Sequence, residues 1–140
     1  LQKDDMMTQD ARQTEEIASY HAHVYFRTPA ERERAEWVRG EIARRFRVRL
    51  GQWREVPVGP HSMPMFQIAF ENGLFAAIMP WLMLNGQGLS ILVHPNTTGP
   101  RADHLDNAMW LGDRLDLLAD RLPVTQEIPD QAGEPNTDPS

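Results

Sequence analysis

Five histidines and no cysteine occur among 140 residues, so a metal bound to this chain must be held by imidazole or carboxylate. His21 and His23 sit in YHAHVYF, where side chains alternate in character. Residues two apart on a strand project from one face about 6–7 Å apart, so both imidazoles can reach one ion. His94 closes LSILVH, a second strand-like run. If these strands pair antiparallel, the end of the second lies beside the start of the first. His94 then approaches His21, and three nitrogens converge. The HxH spacing also fits sheet histidines held in hydrogen bonds or at an interface. His61 follows Gly59-Pro60 in a turn and joins the site only if that turn folds over the sheet; otherwise it faces solvent. His104, beside Asp103 at a helix start, fits a capping or surface role. Non-heme iron often takes two histidines and a carboxylate. Glu71 is the nearest carboxylate, and a solvated loop position is its ordinary role.

The elements that must position these residues follow from pattern. YHAHVYF, residues 20–26, predicts a strand with Ala22, Val24 and Phe26 on one face and His21, His23 and Tyr25 on the other. Thr28-Pro29-Ala30-Glu31 predicts a helix start with a capping residue, a proline in the first turn and a reciprocal Glu. Ala35, Val38, Ile42 and Phe46 carry that helix to about Arg47. Residues 52–58 and 65–70 read as strands joined by Gly59-Pro60. Residues 74–84 read as a helix bent or divided at Pro80, and residues 89–94 as the fourth strand, stopped by Pro95. A last helix over 102–122 draws on Leu105, Met109, Trp110, Leu115 and Leu118. Trp81 and Trp110 read as core.

This order is βαββαβ with an added C-terminal helix, the ferredoxin-like α+β plan. Right-handed crossovers predict an antiparallel sheet in the order 4-1-3-2 with both connecting helices on one face. The opposite face, carrying Tyr25, Leu92, Met65 and Trp53, is too apolar for water, so the last helix or a second copy must cover it.

Length, with 41% apolar and 24% charged residues, describes one domain. The net charge of −6 is unevenly spread. Lys3 and Arg12 face Asp4, Asp5, Asp10, Glu15 and Glu16 in residues 1–16, and residues 123–140 carry only Glu127, Asp130, Glu134 and Asp138. Both ends read as disordered. The domain, residues 17–122, is then near neutral and offers no basic stripe for nucleic acid. No apolar run approaches the roughly 20 residues that cross a bilayer. The polar, acidic start lacks a secretory leader pattern, which predicts a cytoplasmic protein, and Met6 or Met7 is a candidate start.

The segments YHAHVYF, VPVGPHSMPMFQIAF, MPWLMLNGQGLSILVHPNTTG and DHLDNAMWLG, in that order, resemble the DOPA 4,5-dioxygenase family of fungi and bacteria. The resemblance covers nearly all of residues 19–113. It implies a ferredoxin-like homodimer of α+β barrel type and extradiol opening of a catechol, a small aromatic substrate, by O2 at a non-heme metal. Fe(II) is the implied cofactor, although three imidazoles also accept zinc or another divalent ion. It implies His21, His23 and His94 as ligands and His61 as the proton-transfer residue, with an exchange of His61 and His21 open and His104 as a further site residue. Tyr25, Trp53 and Gln67 are then candidates for the substrate wall. Ser62 stands where the family pattern leads one to expect proline.

Overall fold

The computed structural model describes residues 10–139. Met6, Met7, Asp4 and Asp5 lie outside that range. Five antiparallel strands form one sheet in the order β2-β3-β1-β4-β5. They are β1 (Ser19–Tyr25), β2 (Arg49–Leu50), β3 (Met65–Phe70), β4 (Ile91–Asn96) and β5 (Met109–Leu111). The helices are α1 (Pro29–Arg45), α2 (Phe75–Asn85) and α3 (Pro100–His104).

α1 begins where its sequence demands. Thr28 Oγ1 accepts from Glu31 N–H at 3.1 Å, and Glu31 Oε1 accepts from Arg27 N–H at 2.7 Å, so donors that the first turn leaves free are paired. Ala35, Val38 and Ile42 are buried against Ala22, Val24, Phe66, Ile68, Ile91 and Val93. One face of the sheet is therefore the main apolar core, and alternation sends His21, His23 and Tyr25 to the other.

Several expectations need correction. Residues 52–58 form no strand: β2 is Arg49–Leu50, and beyond it only Arg54 bridges Met65. Pro57 has no N–H for a ladder, and Trp53 turns to the helix side, stacking on Phe26 with ring centres 4.2 Å apart. α2 runs unbroken through Pro80. The carbonyl that Pro80 leaves unpaired, that of Ala76, lies in an exposed first turn, where water can satisfy it. β4 likewise continues through Pro95, which lies opposite Tyr20 and beyond the last pair with β5, so no outer strand needs its missing N–H.

The predicted last helix over 102–122 is replaced by the short α3, by β5 and by irregular chain with one 3-10 turn at Ala119–Arg121. Leu105 and Met109 mimic helical spacing. The neighbours of Met109 reveal the true period: Met109 and Leu111 pack on the helix-side core, whereas Trp110 packs on Tyr25, Met65 and Leu92. That is a period of two, enforced by pairing with Ile91–Val93. The apolar part of the histidine face is thus covered by Val58, Met63, Ala108, Trp110, Leu115 and Leu117 of the same chain. Its apolarity alone no longer calls for a second copy.

Residues 123–139 have no regular secondary structure, yet they lie along the sheet end instead of standing free. Ser19 Oγ donates to the Asp130 carbonyl at 2.6 Å, and the Asn136 amide accepts from Leu50 N–H and donates to Leu50 O. A single side-chain amide thereby satisfies the edge of β2.

Gly112 closes β5 with φ of +71°, and a Cβ there would stand 2.4 Å from the Leu89 carbonyl oxygen. Gly112→Ala should destabilise the fold by at least about 2 kcal/mol in urea unfolding; an unchanged midpoint would show that the turn relaxes freely.

Candidate metal centre

The β1–β4 register sets His21 opposite His94 and His23 opposite Leu92. His21 and His94 rings are 5.2 Å apart, His23 and His94 rings 5.2 Å, and His21 and His23 rings 5.8 Å. Ligand nitrogens of His21, His23 and His94 all lie within 4.8 Å of one another. A second group, His23, His61 and His104, meets the same criterion and shares His23 with the first.

His61 reaches the sheet because its turn folds over it. Its amide bonds to Val58 O, and Leu118 N–H donates to Pro60 O at 2.8 Å, clasping the turn from the other side. The His61 ring comes to 4.1 Å from that of His23. His104 is no surface cap: it ends α3 and lies 3.8 Å, ring to ring, from His94. The buried Asp103 anchors α3, accepting from Thr97 N–H at 2.7 Å and from Thr97 Oγ1 at 2.9 Å. Asp103 is thus a buried anchor that positions His104, which sequence reasoning did not single out, since Asp-His at a helix end reads as surface chemistry. Its signal was available only as the polar pair Thr97 and Asp103, six residues apart.

Of the substrate-wall candidates, Tyr25 lies in the site, its hydroxyl 2.7 Å from His61 Nδ1. Gln67 lies opposite His23 across the β1–β3 ladder, on the same face. Trp53 does not join them: it packs on Phe26 and Phe66, on the far face of the sheet. Glu71 is exposed beyond β3, and neither histidine group includes a carboxylate among the described residues.

The ring nitrogens fit a cation. His94 Nδ1 lies 2.9 Å from Pro95 O and His104 Nδ1 lies 2.8 Å from Pro100 O. A carbonyl can only accept, so each Nδ1 carries the hydrogen and each Nε2 keeps its lone pair, the state a ligand requires. His23 Nε2 stands 3.1 Å from His94 Nε2. Because the latter is a bare acceptor, His23 must turn an N–H toward it or share a cation with it. In the first case His23 Nδ1 is left as a bare nitrogen, buried and without a partner. That costs about 1–3 kcal/mol.

Burial also keeps these rings neutral. It lowers the His21 and His61 pKa values to about 4, and neighbouring histidines add to the effect. His23 and His94 are driven well below the ordinary value, first by burial and then by other histidines of the cluster. Asp130, on the tail, opposes the fall at His21. Nothing in the sequence pattern marks that residue, because the tail carries no periodicity.

The model of the Dopa 4,5-dioxygenase family matches residues 20–121, a span that includes all five histidines. The chain belongs to this family. A DOPA 4,5-dioxygenase of Amanita muscaria is 32% identical over 128 residues, covering 81% of this chain and 54% of that protein. An uncharacterised 21.2 kDa protein of Botryotinia fuckeliana is 34% identical over 112 residues, covering 71% of this chain and 60% of the other. The chain thus spans little more than half the length of either relative. A crystal structure of a candidate dioxygenase from Nostoc punctiforme superposes with a TM-score of 0.78 at 46% identity, over 80% of this chain and 96% of that one.

Folded-state pKa values below the ordinary value of about 6.5 mean that the unfolded chain binds protons first as pH falls. Stability of the metal-free protein should therefore be fully present above about pH 6.5 and decline toward pH 4, each such histidine adding a slope of up to about 1.4 kcal/mol per unit. Thermal midpoints measured from pH 8 to 5 check this, and a flat profile between 7 and 5 contradicts it.

Proposed function

We propose that this chain is an Fe(II)-dependent extradiol dioxygenase that opens the ring of DOPA or a related catechol with O2. The observation that carries this reading is the convergence of His21, His23 and His94 on one sheet face, with His61 delivered beside His23 from a separate turn. Family membership supports dioxygenase chemistry.

In this reading His21, His23 and His94 hold the ion through neutral nitrogens, and no carboxylate is needed. A bound Fe(II) supplies a Lewis-acidic, redox-active centre at which catechol and O2 can meet. The chain supplies the rest. The Pro95 carbonyl orients His94 by taking its Nδ1–H. His61 is the imidazole left to face the substrate and to hold a proton there. Gln67, half-buried opposite His23, is placed to contact the substrate. The packing of Val58, Met63, Leu115 and Leu117 excludes water beside Tyr25. A homodimer, as the resemblance implies, is part of the same proposal.

The burial of all five imidazoles, each at most 9% exposed, favours a second reading: a non-catalytic module with a closed structural zinc site. Reconstitution separates the two. Anaerobic loading with Fe(II), followed by L-DOPA and air, should consume O2 and catechol in equal amounts and yield a yellow ring-opened product. Absence of turnover across a panel of catechols, with zinc retained tightly, supports the module instead. His23→Ala should abolish metal uptake in either case, as measured by metal content per chain, because His23 belongs to both histidine groups.

A further inference from the structure

The contact between Tyr25 and His61 fixes how the second of these residues works. Tyr25 ends β1, in the middle of the sheet, and its ring stacks on Trp110 of β5 with centres 5.8 Å apart. Its hydroxyl meets His61 Nδ1 at 2.7 Å, and both residues are buried. A phenol and an imidazole of ordinary pKa are mostly neutral near pH 7, and neither meets a charged partner here. The pair then has two possible hydrogen arrangements.

In one, His61 Nδ1–H donates to the phenol oxygen. The hydroxyl hydrogen of Tyr25 then has no acceptor among the described residues, because His61 Nδ1 is the one partner found for it. A buried hydroxyl left unpaired costs about 1–3 kcal/mol. In the other, the phenol donates to a bare Nδ1 and the imidazole hydrogen sits on Nε2. That hydrogen is then carried on the imidazole that groups with His104, whose ring lies 6.1 Å away and keeps a bare Nε2. The second arrangement uses the phenol's hydrogen and is the one the packing favours.

We propose that Tyr25 is a positioning residue that holds His61 as the Nε2–H tautomer, so that His61 meets the substrate as a fixed hydrogen-bond donor and not as a base. This rests on the catalytic reading above for the identity of the substrate, but not for the tautomer. A ligand needs a lone pair at Nε2, so drawing His61 into the metal set would cost it this hydrogen and leave the Tyr25 hydroxyl without its acceptor. Nor can His61 readily release its proton. Loss from Nε2 alone would leave an imidazolate, and a concerted shift of the Tyr25 hydrogen to Nδ1 would leave a buried phenolate. The pair therefore holds its hydrogen against negative charge that develops on a substrate oxygen, as preorganised donors do in other active sites. Deprotonation of a catechol must then fall to another group or to solvent.

The test uses the metal-free full-length chain with 15N-labelled histidine. Long-range proton–nitrogen NMR near pH 7 should show His61 with a bare Nδ1 and a protonated Nε2, and Tyr25→Phe should turn this single tautomer into a mixture. A wild-type spectrum with the hydrogen on Nδ1 overturns the proposal. So does an Nε2–H signal that Tyr25→Phe leaves unchanged, since Tyr25 would not then be setting it. The wild-type spectrum decides the tautomer even if Tyr25→Phe folds poorly. Failure of the protein to turn over any catechol would refute the catalytic reading and leave this spectrum standing.

Discussion

The antiparallel pairing of β1 with β4 is the constraint on which the rest depends. It sets His21 directly opposite His94 and, through strand alternation, commits His23 and Tyr25 to the same face. A slip of one residue would send these imidazoles into the apolar core and bring Ala22 and Val24 out. The register is protected because Ala22, Val24, Phe66, Ile68, Ile91 and Val93 are all fully or almost fully buried beneath the helices. The energy of the apolar face thus holds the geometry of the polar one.

The second face depends on cover rather than on pairing. The 58–63 turn and residues 104–117, which run from the end of α3 through β5 into irregular chain, lie over Tyr25, Met65 and Leu92, and each segment also delivers a histidine. Cover and chemistry are therefore one structure: the segments that exclude water carry His61 and His104 into the cluster. Backbone carbonyls then sort the rings. Pro95 and Pro100 carbonyls leave His94 and His104 with bare Nε2 atoms, whereas the Tyr25 hydroxyl meets His61 at Nδ1. Three of the five imidazoles are thus told apart by the atom each finds at Nδ1.

The charge distribution gains a similar local meaning. The acidic C-terminal segment is part of the fold's perimeter, tied to Ser19 and Leu50, and it brings Asp130 close enough for its charge to be felt at His21 and His104. Net charge says nothing of this. Irregular chain can be held in place by side-chain and backbone hydrogen bonds that carry no periodic signature.

Strong local patterns carried what was legible in the sequence alone. The alternation in YHAHVYF assigned faces to Ala22, Val24, His21 and His23; the Thr28–Glu31 box set the start of α1; and the three-histidine grouping followed from two strands and their antiparallel sense. Tertiary structure decided the rest. Residues 105–111 fit a helix or a strand by spacing, and only the open edge of β4 selected the strand. His61, His104 and Trp53 lie on or beside irregular segments, whose paths are set by packing and long-range hydrogen bonds rather than by a repeat. Local periodicity tells a residue which face it occupies, but which loop folds over that face depends on distant contacts that no short stretch of sequence contains.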